Sequence, residues 1–218
     1  MDEAASDRIR AVDGAIRARI TRKVLDGARL APEARGAAAV AEFDAALRAA
    51  IAAAGFAPFH YARSEALPEP WRFTVLDRAA LDAAPRRFPF LLVGKLPRIL
   101  AGAGALVQVT FLAEEDPLRA KRDSDHHSAA AAAAMGLLLA CEARGLGTYW
   151  CTAEPLDHAD LRAWSGIAPA ERWLGGIFVG LPLPPDREVA EGFSGKQRAR
   201  RTAPAAGWMR WVTARPAE

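Results

Sequence analysis

An α+β fold with a few strands is what this sequence predicts, and three observations carry it. Apolar residues recur at Ile9, Val12 and Ile16 with polar residues between them, the stripe of an amphipathic helix. A long alanine-rich run, Ser128–Cys141, reads as a buried helix and is too short to span a bilayer. Stretches such as "ALVQVTFLA" read as buried strands, yet helices and strands do not alternate strictly as a doubly wound sheet requires.

In chain order, the first helix is expected over residues 4–18. A second covers "GAAAVAEFDAALRAAIAAA" and stops at Gly55. A loop with prolines at 58, 68 and 70 follows, then a strand, "WRFTVLD". The segment 86–104 is expected to be partly helical and is a candidate mobile excursion. A strand over Ala105–Ala113 leads through a charged loop into the longest helix, about Ser124–Arg144, with Ser124 as its N-cap. Gly145 and Gly147 end that helix and start a short strand. "EPLDHADLRAWSGI" is a short helix and "WLGGIFVGLP" a strand. From about residue 184 to 218 the tail has no clear period, although Trp208 and Trp211 argue against a solvated coil. A single domain over 1–218 is expected, its tail wrapping a partner subunit.

Composition excludes several classes. The 218 residues are 51% hydrophobic and 25% charged, enough for a real core, and the net charge of +3 is too mild to indicate a nucleic-acid partner. Only four lysines occur, at 23, 95, 121 and 196. The polar N-terminus resembles no leader peptide, and Cys141 and Cys151 form no CxxC pair, so a soluble, cytoplasmic protein with reduced thiols is expected. His60, His126, His127 and His158 show no metal-ligand spacing, and His126-His127 are expected to be solvated. "GAGAL" lacks the glycine pattern of a dinucleotide loop.

The most suggestive stretch is "RITRK", residues 19–23. On a continuing helix, Arg19, Arg22 and Lys23 would share a face and repel. The β-branched Ile20 and Thr21 favour leaving the helix. In an extended segment Arg19, Thr21 and Lys23 alternate onto one side, two cations and a hydroxyl suited to a phosphate. A solvated helix end is the other reading of the same residues. Arg22 falls on the opposite side and is expected to face solvent or pair with a carboxylate. A second cluster in the tail, "KQR", places Lys196 and Arg198 in the same alternation.

Taken in order, these features resemble the flavin-dependent nitroreductase family. Arg19, Thr21 and Lys23 match the family's Arg-x-Ser/Thr-x-Lys/Arg motif after the first helix. Ala57-Pro58 and Pro70-Trp71-Arg72-Phe73 match its Ala-Pro and Pro-Trp-x-Phe elements, with His60 in the place of a histidine found in one compact subgroup. Gly145-Leu146-Gly147-Thr148-Tyr149-Trp150 matches the end of its alanine-rich helix. Gly180-Leu181-Pro182, Lys196 and Arg198 complete the series.

The resemblance implies a central, mostly antiparallel sheet flanked by helices, in a homodimer that binds FMN at the interface and exchanges C-terminal arms. It implies that Arg19, Thr21 and Lys23, with Lys196 and Arg198, hold the phosphate and ribityl chain. Pro70, Trp71, Trp150, Cys151 and Thr152, with Glu154, would flank the ring, and His60 would approach it. NADH or NADPH would reduce the flavin and a small electron-poor molecule would reoxidise it, with no protein nucleophile, metal or membrane required. Leu67 and Glu69 stand where many members carry Asn and Gln. That departure keeps a non-catalytic flavin carrier on the same scaffold as the alternative. Arg63 or Arg72 is positioned in sequence to neutralise Glu69.

Overall fold

A computed structural model describes residues 3–30, 32–114, 116–184, 186–187 and 209. The chain enters through helix α1, Glu3–Ala18, then runs extended to a 3-10 turn at Gly27–Leu30 and into α2, Pro32–Ala54. Strand β1, Trp71–Leu76, is followed by α3, Arg78–Arg87, and α4, Leu96–Gly102. Strand β2, Ala105–Leu112, leads to α5, Ala120–Glu142. Strand β3, Gly147–Cys151, α6, Ala159–Trp164, and β4, Glu171–Gly180, complete the described elements.

The four strands form one antiparallel sheet in the order β1-β2-β4-β3. Strand periodicity sorts side chains onto two faces. Val107, Val109, Ile177 and Val179 point to the face covered by α2 and α5, where they join Leu47, Leu137 and Leu138. Leu76, Leu106, Phe178 and Cys151 point to the other face, under α3, α4 and the turn at Glu154–Asp157. Ala50, Ala130, Ala133 and Ala134 are fully buried. Their small side chains let α2 and α5 approach closely across the first face.

Several sequence expectations are corrected here. Ser124 does not cap the long helix: α5 begins at Ala120 after a 3-10 turn at Pro117–Arg119, and Ser124 lies inside it. The segment 86–104 packs against the second face, with Phe88, Leu91, Leu96, Ile99 and Leu100 all buried. Of its large apolar residues, Leu92 and Val93 at the tip are about half-exposed. The expected short helix after Glu154 is two pieces, because His158 leaves the helical conformation and its ring accepts from Asp160 N at 3.2 Å as the cap of α6. His126 is buried, 3% exposed, with Nδ1 3.0 Å from the Leu112 carbonyl. The stripe on α1 exists but faces outward: Ile9, Val12 and Ile16 are each about half-exposed and the helix buries no residue. Among the described residues no helix is long and apolar enough to cross a membrane.

Candidate functional site

The "RITRK" stretch leaves α1 after Ala18 and runs extended along the outer edge of β3. Thr21 forms a parallel bridge with Thr148, Arg22 N donates to the Thr148 carbonyl at 2.8 Å, and Leu25 bridges Pro182. The segment is therefore a short fifth strand in all but length. Arg22 and Lys23 turn to different neighbours, as successive residues of an extended segment do. Arg22 turns to Glu142 at the end of α5, Nη1 to Oε2 at 2.8 Å, with both side chains about 15% exposed. Lys23 turns the other way and sets its ammonium 5.7 Å from the centre of the Tyr149 ring. Arg19 is 7% exposed, against the body of the protein rather than in solvent.

What seats this strand is a row of glycines. A methyl on Gly102 would come within 2.6 Å of the Leu25 carbonyl oxygen. One on Gly147 would meet Leu25 Cδ2 at 2.7 Å, and one on Gly180 would meet Leu25 Cβ at 3.1 Å. Leu25 thus lies over three positions whose lack of a side chain lets two backbones approach.

Beside Tyr149 opens a cavity of about 270 Å³ between the tip of the 86–104 segment and the end of β3. Val93, Lys95 and Leu96 form one wall, and Tyr149, Cys151 and Pro155 the other. Burial and a side-chain hydrogen bond with Cys151 push the Tyr149 phenol up to about 12, so it stays neutral. Cys151 is buried behind it; Thr152 and Glu154 are exposed on the rim. Buried Gln108 backs this loop from β2: its amide donates to the Leu156 carbonyl at 3.3 Å and its carbonyl accepts from Trp173 Nε1 at 2.6 Å.

Trp150 alternates to the opposite face, packed on the first core. Its indole fits because Gly175, at φ 152°, leaves open the place where a Cβ would stand 2.2 Å from Trp150 Nε1. Trp150 Nε1 and Thr148 Oγ1 are buried with no hydrogen-bond partner among the described residues.

The remaining candidates are elsewhere. Pro70 and Trp71 are buried at the start of β1, Trp71 edge-on to Phe59 at 5.7 Å. His60 is exposed in the preceding loop. In that loop Arg72 donates to the Glu69 backbone carbonyl at 2.7 Å, not to its carboxylate, and Arg63 N donates to the Pro68 carbonyl. Strand β1 is three strand spacings from β3, roughly 14 Å across the sheet. One chain therefore holds the candidates in two groups on opposite edges. Lys196 and Arg198 lie outside the described residues, as does most of the expected arm.

Sequence reasoning missed Lys95, whose place in the cavity depends on how the 86–104 segment packs. Its rarity, as one of four lysines, was the only local signal. Among the described residues no group of His, Cys, Asp and Glu side chains could hold a metal ion.

An apolar slot with a neutral phenol and Lys95 in its walls, and a second ammonium, that of Lys23, near that phenol, is chemically suited to a flat, anionic heterocyclic ligand. The slot is large enough for a ring system rather than a whole nucleotide. Residues 40–181 match the family model described as Nitroreductase family, and the chain belongs to that family. Solved structures share the fold. A nitroreductase with bound FMN from Bacteroides fragilis is 18% identical, with 93% of this chain and 98% of that one covered and a TM-score of 0.56. A nitroreductase-like family protein from Bacillus cereus is 17% identical, covering 79% and 86%, TM-score 0.56. A Lactococcus lactis nitroreductase in complex with nicotinic acid is 16% identical, covering 79% and 90%, TM-score 0.56. No curated protein matches the sequence.

Proposed function

We propose that this protein is an FMN-dependent NAD(P)H oxidoreductase of nitroreductase type, acting as a homodimer on a small electron-poor organic acceptor. The observation that carries the reading is the docking of "RITRK" as an edge strand beside β3, which turns Lys23 toward Tyr149 at the mouth of the apolar slot. Family membership supports the cofactor.

FMN, when bound, would supply a two-electron carrier between a reduced nicotinamide and the acceptor, in a ping-pong cycle. The chain's own residues bind and orient. Arg19 and Thr21 would hold the phosphate and ribityl chain through charge-assisted and neutral hydrogen bonds, with Lys196 and Arg198 as the other half of the clamp. Lys23 and Lys95 would offer positive charge to the ring system, on which negative charge develops on reduction, in a slot walled by Tyr149, Cys151 and Pro155. Thr152 and Glu154 border its rim, and Trp150 anchors the strand from the opposite face.

His60, Pro70 and Trp71 contribute from the second copy. Two features support a dimer: the candidates' separation on opposite sheet edges, and the apolar stripe of α1, half-exposed among the described residues. Purified protein is expected to be yellow, with flavin absorption bands that NADH or NADPH bleaches anaerobically. Colourless protein that takes up no added FMN removes the reading. Bound FMN that neither donor bleaches replaces it with flavin carriage, which the Leu67/Glu69 loop motivates.

A further inference from the structure

A second cavity, of about 680 Å³, lies between the end of α3 and α6 and has no part in the reading above. Its walls are aromatic. Phe88 and Trp164 meet edge to face at 5.6 Å, and Phe90 stacks on His158 at 4.0 Å and 23°. Trp164 is 37% exposed, so much of an indole faces solvent. Among the described residues the cavity is lined by one cation, Arg87, whose guanidinium is 5.6 Å from the Phe88 ring, and one carboxylate, Asp160.

This set of groups fits a nucleoside phosphate. Flat rings stack a base. A guanidinium takes a phosphate. A carboxylate accepts from a ribose hydroxyl, as acidic residues do in dinucleotide sites.

The cavity also adjoins the slot beside Tyr149. The 3-10 turns Pro89–Leu91 and Glu154–Asp157 touch and form the seam between them. Phe90 and His158 face one side of the seam, and Val93 and Pro155 the other. Pro155 and His158 are three residues apart, a span of at most about 10 Å. A dinucleotide with its nicotinamide at the slot has its adenylate half within reach of the aromatic cavity.

We propose that this cavity binds the adenylate half of NADH, with the adenine against Trp164 and Phe90, Arg87 on the pyrophosphate and Asp160 on the adenosine ribose. Asp160 sets the choice of donor: the 2′-phosphate of NADPH would bring like charge beside a carboxylate. The identity of the dinucleotide rests on the proposed function; the cavity's affinity for an adenylate does not.

The test is calorimetric titration of the full-length protein with ADP-ribose, which lacks the nicotinamide, against 2′-phospho-ADP-ribose and ribose 5-phosphate. ADP-ribose is expected to bind saturably and more tightly than either. Arg87→Ala and Trp164→Ala are expected to weaken it on the order of tenfold, Trp164→Phe to retain it, and Asp160→Asn to narrow the gap to the 2′-phospho form. With flavin bound, Trp164→Ala is expected to raise KM for NADH by a similar factor and leave KM for reduced nicotinamide mononucleotide, which has no adenine, unchanged. ADP-ribose binding no tighter than ribose 5-phosphate overturns the proposal, including where a second copy covers the rings. Equal effects on both donors overturn it too. Normal FMN uptake without ADP-ribose binding removes this proposal alone. ADP-ribose binding without FMN uptake removes the flavin reading alone.

Discussion

Replacing Gly102 by alanine should displace the strand that carries Arg19, Thr21 and Lys23. The new methyl would stand 2.6 Å from the Leu25 carbonyl oxygen, 3.2 Å from Leu25 N and 3.3 Å from Leu25 C. All three are backbone atoms, so no rotamer change relieves the contact. Ordinary contact begins near 3.4 Å, so the backbone must separate by about 0.8 Å. Overpacking of this kind costs about 1–3 kcal/mol. Gly102 closes α4, and alanine is the better helix former by up to about 1 kcal/mol, which offsets part of that cost.

The expected result is a net loss of about 1–2 kcal/mol in urea unfolding, with weaker FMN retention measured by fluorescence. Gly136→Ala is the control. It lies inside α5, and its methyl would meet only Ala54, at 3.5 Å, ordinary contact. That variant is expected to be neutral or slightly more stable, with unchanged FMN retention. A Gly102→Ala protein as stable as its parent, with equal flavin affinity, would refute the seating of Leu25 as the cause of the strand's position.

Arg19→Ala is expected to weaken FMN retention by about 1.5–3 kcal/mol, whereas Arg22→Ala should destabilise the fold by a similar amount through its bond to Glu142 and leave the flavin Kd unchanged; fluorescence titration beside urea melts separates the two. Gln108→Leu strands Trp173 Nε1 and the Leu156 carbonyl, so thermal unfolding should report a loss of about 1–3 kcal/mol per unsatisfied group. Burial pushes the Cys141 thiol up to about 12, with Arg144 opposing and Glu142 adding to the shift. A raised folded pKa contributes stability below the unfolded value, near 8.5, that is lost as pH rises toward 12. Stability of the parent should fall over that window, Cys141→Ala should fall less, and a thiol reagent at pH 8 should label Cys141 only after denaturation.

Much of the fold was legible because it is written in local periodicity. The β-branched residues of "RITRK" predicted an exit from the helix, and two-residue alternation put Arg22 opposite Lys23, as its bond to Glu142 bears out. The helix over 4–18 and the strands starting at Trp71 and Ala105 were read nearly to their bounds. Ser124 misled because a good capping residue also occurs inside helices. His126 misled because charged neighbours in sequence do not report burial beneath Leu112.

By itself the sequence determined which residues lie on each face of each element, since 3.6- and 2-residue periods are properties of the backbone. It also carried the ordered motifs of the nitroreductase family. Tertiary structure alone decided what covers each face. It placed the "RITRK" strand on the β3 edge over Gly102, Gly147 and Gly180, and brought Lys95 to the wall facing Tyr149. It also set Pro70 and Trp71 on the far edge of the sheet. Each of those contacts joins segments tens of residues apart, and a cavity or a strand's neighbour exists only once such distant segments have packed.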